Sequence, residues 1–165
     1  MPEFHFTMID GQDDVKDGLT FGHLEVRGSN GQASSRSRDE DGGLGIQVFV
    51  VLPDLLDGLG TLLRRGRGTF NFTDPVFSLK FKLDKHGKLT ISHRRTVIDE
   101  AAPEVVTKAV WAAVQEFTDR YLDHITEATD FTELSDSGEI QNITIRPRVE
   151  AAMARFQNTL NDLKS

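Results

Sequence analysis

The chain opens on alternation. Phe4, Phe6 and Met8 interleave with His5, Thr7 and Ile9, a period of two that predicts a strand. Residues 11–18 read as an acidic turn holding Asp13, Asp14 and Asp17. A second strand is expected from Leu19 to Arg27. Leu24 and Val26 share one of its faces and Leu19 and Phe21 the other, so a bulge or bend is expected at Gly22. Residues 29–43 carry one alanine and no larger apolar side chain, which reads as a long loop, with Gln32 to Arg36 able to extend a hairpin.

Leu44 to Leu52 is almost unbroken apolar and suits a central strand buried on both faces. Pro53-Asp54 then starts a helix, where Leu55, Leu56, Leu59, Leu62 and Leu63 fall on one stripe. Gly58 and Gly60 each weaken this helix by about 1 kcal/mol relative to Ala, which suggests tight packing against a neighbour. Arg64 and Arg65 suit its last turn and Gly66 its cap. Thr69–Thr73 is a short strand ended by Pro75. Phe77, Leu79, Phe81 and Leu83 then alternate with polar residues, Lys85-His86-Gly87 turns the chain, and Leu89 and Ile91 continue the alternation, giving a β-hairpin.

Pro103 to Ile125 is the longest helix, with Val106, Val110, Ala113, Phe117 and Tyr121 on its stripe and Trp111 at the edge. Residues 126–138 are polar and acidic. Ile143 and Ile145 suggest a late strand ended by Pro147. Val149, Met153, Phe156, Leu160 and Leu163 follow at spacings of 4, 3, 4 and 3, a heptad-like stripe able to dock in cis or to form a homodimer. The expected class is α+β. An antiparallel sheet of about five to seven strands would carry a mid-chain helix and two C-terminal helices on one face. Residues 1–125 form the α+β domain, and residues 126–165 an acidic connector and amphipathic helix.

Charge divides the chain more sharply than its total of −7. Residues 1–43 sum to −5, residues 44–98 to +5 and residues 99–165 to −7. The acidic ends suit a basic protein partner, through Asp13, Asp14, Asp17, Asp39, Glu40 and Asp41 or through the helix face at Glu116, Asp119 and Asp123. The basic middle, with Arg64, Arg65, Arg67, Lys80, Lys82, Arg94 and Arg95, is the place for an anion contact. Nucleic acid is not expected, because Phe77 and Phe81 point away from the lysine face and offer no stacking there.

Little points to chemistry. There is no cysteine, so zinc-ribbon and thiol chemistry are excluded. No two histidines stand three or four residues apart, and no metal or cofactor is expected. A calcium loop counted from Asp39 puts Val50 where a bidentate Glu is needed, and one counted from Asp13 puts Leu24 there. No nucleophile elbow, dinucleotide fingerprint or phosphate-binding Gly-Lys-Ser/Thr occurs, so no catalytic residue is assigned. The start of the chain has no basic and apolar leader. Its longest apolar run, Val48 to Leu52, is far short of the roughly 20 residues of a membrane span, so a cytoplasmic location is expected.

The run Ile46-Gln-Val-Phe-Val-Val-Leu-Pro-Asp-Leu-Leu-Asp-Gly-Leu, the Phe-rich strands, the acidic balance and the strand–helix–hairpin–helix order over residues 1–125 resemble small bacterial immunity-type proteins. That resemblance implies a protein that silences a toxin by occluding it, and it carries over no site residue. The alternative is a small-molecule-binding or hydrolytic domain with a pocket between the sheet and helix 103–125, lined by Trp111, Phe117, Tyr121 and His93.

Overall fold

Alternation at the start of the chain becomes a β-hairpin. In the computed structural model, which describes residues 1–8, 21–35, 45–74, 77–125, 131–134 and 136–164, β1 (Glu3–Met8) pairs antiparallel with β2 (Phe21–Arg27). Register runs unbroken from Glu3↔Arg27 to Met8↔Gly22, and Phe4, Phe6, Leu24 and Val26 share the buried face. Leu19, which the expected bulge or bend would reorient, lies outside the described residues, and no bulge interrupts that register at Gly22. Glycine is needed there for close approach instead, because a methyl group would overlap the Thr7 carbonyl and crowd Val48 Cγ2 at 2.9 Å. β3 (Gln32–Ser34) and β4 (Ile46–Gln47) share the other edge of β2.

The apolar run after Gly45 departs most from expectation. Only Ile46 and Gln47 are extended, and Val48 already begins α1 (Val48–Arg65). This helix has no side-chain N-cap and holds Pro53 within it. A proline inside a helix costs about 3 kcal/mol. Burial outweighs that cost. Val48, Phe49, Leu52, Leu55, Leu56 and Leu59 are wholly enclosed, and each such side chain contributes about 1.5–3 kcal/mol. Gly66 caps the C-terminus at φ 77°, donating its N–H to the Leu62 carbonyl at 3.1 Å.

A second antiparallel sheet follows in the order β5 (Gly68–Asp74), β6 (Phe77–Leu83), β7 (Leu89–His93), β8 (Thr96–Ala101). β6 alternates without a fault, with Phe77, Leu79, Phe81 and Leu83 buried and Lys80 and Lys82 exposed. The β6–β7 turn is held by Asp84, whose carboxylate accepts from the N–H of His86 at 2.8 Å and of Lys88 at 3.0 Å. Those bonds, that of Lys88 foremost, hold its pKa below the usual carboxylate range.

α2 (Pro103–Tyr121) ends earlier than its stripe suggests and passes into a 3-10 turn, Leu122–His124. β9 (Phe131–Leu134) and β10 (Ile140–Ile143) form a two-stranded ribbon within the stretch read as connector and late strand. Ile145 does not continue that strand. It begins α3 (Ile145–Lys164), and Pro147 sits in the helix's first turn, where a missing N–H costs nothing.

The class is therefore α+β, with the strands divided between two four-stranded sheets and a ribbon. α1 is the shared centre. Val48 meets β2, Gly58 lies against the Phe70 ring of β5, and Phe49 packs at a tilt against Phe117 of α2 at 5.1 Å. Phe4 and Phe81 join the two sheets at 6.3 Å. α3 packs on α1, where Arg155 holds Asp57 through two bonds of 3.0 and 2.9 Å and Arg64 donates to Thr159 Oγ1 at 2.7 Å. Val149 and Phe156 of the heptad-like stripe are buried in this chain and Met153 and Leu160 are partly covered, while Leu163 stays exposed.

Candidate partner-binding groove

A helix beside a sheet edge leaves a trough wherever its facing side chains are small. α2 runs along β1 and presents Val105, Ala109, Ala112 and Ala113 to the strand. The result is an open groove of about 1050 Å³. Its strand side is the outward face of the first hairpin, where Glu3 pairs across to Arg27 and His5 to Glu25. Its helix side carries Glu104, Lys108 and Glu116, set four or eight residues apart on one flank. Four carboxylates thus face two permanent cations, Arg27 and Lys108.

The groove keeps Glu116 from the acidic face read in the sequence. Asp119 is exposed on the next turn. Asp123 is engaged elsewhere, accepting from Arg146 at 3.2 Å, while Arg146 also holds Glu150 at 3.1 Å and the Ile125 carbonyl at 3.1 Å. Asp13, Asp14, Asp17, Asp39, Glu40 and Asp41 lie outside the described residues. Sequence reasoning passed over Glu3, Glu25, Glu104 and Lys108. A signal was present: Glu104, Lys108, Ala112 and Glu116 recur every four residues, a flank of small and charged positions beside the apolar stripe.

The four residues named as pocket liners do not line this groove. Phe117 is buried between Phe6 at 5.8 Å and Phe49, with Tyr121 against its far side at 5.0 Å. Trp111 packs at a tilt against Phe156 at 5.7 Å and ties α2 to α3. His93 stacks on Phe77 at 5.2 Å, its Nδ1 on the Ser78 carbonyl at 2.8 Å. One Ser–His contact was also unforeseen. His23 Nδ1 stands 3.3 Å from Ser35 Oγ, but both residues are buried and that hydroxyl accepts the Leu24 N–H at 2.8 Å, so the pair fastens β2 to the chain after β3.

The cations of the middle segment do not converge. Arg64, Arg65 and Arg67 sit at the end of the second sheet where Gly68 meets Leu83. Arg94 and Arg95 turn the chain at its other end. The seven residues of β6 separate them by roughly 20 Å. Lys80 and Lys82 lie between on the outer face, where neighbouring Lys88 is paired with Glu100 at 3.2 Å. Among the described residues no cluster of three His, Cys, Asp or Glu could hold a metal ion, and no helix is long and apolar enough to cross a membrane.

No protein-family model, no curated protein and no solved structure matches the chain.

Proposed function

We propose that this chain is a non-enzymatic protein-binding domain that takes a basic surface or segment of its partner in the groove between β1 and α2. The observation that carries the reading is the arrangement of Glu3, Glu25, Glu104 and Glu116 around an open trough walled by alanines. Carboxylates at a rim steer a cationic partner and fix its register, and small side chains let it approach the backbone. A bacterial toxin silenced by occlusion in the cytoplasm, as for immunity-type proteins, is the kind of partner this suits. The test is affinity capture from the host with the wild-type chain and with a Glu104→Lys/Glu116→Lys variant. Stoichiometric recovery of one basic protein by the wild type, lost in the variant and weakened by salt, supports the reading. Equal recovery by both chains, or recovery of nothing, refutes it.

The volume of the groove favours a second reading, a site for a small molecule, since ligand pockets span roughly 300–1000 Å³. A bound compound would protect Ala109, Ala112 and Ala113 from solvent without any dependence on salt, which separates the two readings.

A further inference from the structure

A sheet edge exposes unpaired backbone donors and acceptors, and natural proteins cover or charge such edges. Two of the long edges here are covered in that way. β1 runs beside α2. β8 meets the β2–β3 turn, where the Asn30 N–H donates to the Ile98 carbonyl at 2.9 Å. β5 differs. Among the described residues it pairs with β6 alone. Residues from both its faces, Thr69, Phe70, Asn71, Phe72 and Thr73, border a groove of about 510 Å³ whose other wall is the flank of α1.

The sequence of that edge is its own mirror. Thr69-Phe70-Asn71-Phe72-Thr73 reads the same in both directions and carries no charge and no proline. An antiparallel two-fold pair centred on Asn71 sets Asn71 opposite Asn71, Thr69 opposite Thr73 and Phe70 opposite Phe72. Like meets like in size and polarity at every position. On the inner face the half-exposed Phe70, already stacked on Phe81 at 5.8 Å, gains Phe72 of the second copy as its next neighbour. On the outer face Lys80 is registered with Asn71, so the two Lys80 side chains stay two strands further apart than the central pair. The same axis is complementary in charge on α1. This helix runs back along β5 with Arg65 at the Gly68 end and Asp54 toward Thr73, so Asp54 of one copy comes opposite Arg65 of the other, while Asp57 stays with Arg155 of its own chain.

We propose that a second copy of this chain occupies the β5 edge, joining two four-stranded sheets into one continuous eight-stranded sheet across an isologous two-fold interface. The test uses the absence of native cysteine. Asn71→Cys places its thiols across the axis with Cα atoms about 4.5–5.5 Å apart, within disulfide reach. Thr69→Cys places its thiols four residues out of register, beyond reach. Under a mild oxidant such as diamide, Asn71→Cys is expected to give about tenfold more covalent dimer than Thr69→Cys. Sedimentation of the wild type is expected at twice the chain mass. A Thr69→Lys/Thr73→Lys variant, which sets ammonium groups opposite each other, is expected to sediment at the single-chain mass with its circular dichroism intact. A wild type that sediments as a monomer overturns the proposal, as does a dimer whose two cysteine variants cross-link equally or one that survives the lysine pair.

Discussion

At β1 the sheet margin lies beside a helix and is bordered by Glu3, Glu25, Glu104 and Glu116. At β5 the margin is Thr-Phe-Asn-Phe-Thr, with no charge between Arg67 and Asp74. Both margins belong to one hydrophobic core, since Phe4 on β1 stacks on Phe81 beside β5 and α1 touches both sheets. Charge is therefore placed by position and not by segment. Among the described residues, acids gather around the groove beside β1, and the β5 edge is left neutral.

Removal of the shared centre is the strongest way to break this comparison. Phe117→Ala deletes a ring packed against Phe6, Phe49 and Tyr121 and is expected to cost about 3–5 kcal/mol. Denaturant unfolding followed at Trp111 and by far-ultraviolet circular dichroism would show one shifted transition. Two separated transitions would mean that the β1 and β5 halves fold independently. The glycines of α1 sharpen the point at finer scale. A methyl at Gly58 runs into the Phe70 ring, so Gly58→Ala is expected to cost about 1–3 kcal/mol and to disturb the β5 edge. A methyl at Gly60 would stand 3.7 Å from Thr159 Oγ1 and 3.8 Å from Phe156, ordinary contact, so Gly60→Ala is expected to stabilise by up to about 1 kcal/mol. Thermal melts of both variants check the opposite signs.

How far these features were legible in the sequence depends on what each one rests on. The β6–β7 hairpin was readable because its alternation, its turn and its burial agree. β8 was missed because the turn before it, Arg94-Arg95, has neither Gly nor Asn, although Arg94 takes a positive φ of 55°. The start of α1 was misread because Val48, Phe49, Val50 and Val51 favour a strand on local grounds, and only burial on almost all sides turns them into a helix. Ile145 and Pro147 were read as a strand and its stop when they are the first turn of α3. Of the groove, Glu116 was legible as an acid on a helical face. Its partners on β1 and β2 were not, because which helix lies beside which strand is a tertiary fact.

Smaller effects are expected where α3 meets α1. Asp57 and Arg155 are each about half exposed, and breaking their bidentate pair with Asp57→Asn is expected to cost under about 1 kcal/mol. Asp54 nearby has its pKa raised, first by desolvation and then by Asp57, with Arg148 opposing. A carboxyl with a raised folded pKa weakens the fold when ionised, and the penalty lifts as pH falls through that pKa. Asp54→Asn is therefore expected to stabilise slightly at pH 7, with the gain shrinking toward roughly pH 4, the ordinary carboxylate range. Asp84 has the opposite sign. Its lowered pKa supports the turn at neutral pH, and that support fades on acidification through the folded value.

The claim that matters most is that the acidic trough, and not acidic surface in general, receives a basic partner. Amide chemical-shift mapping with a lysine-rich peptide at low salt tests it directly. Shifts are expected to saturate at Glu3, His5, Glu25, Glu104, Ala109, Ala112 and Glu116 while Thr69–Thr73 stay still. Shifts spread evenly over every exposed acid, with Asp136 and Asp162 moving as much as Glu104, would contradict it.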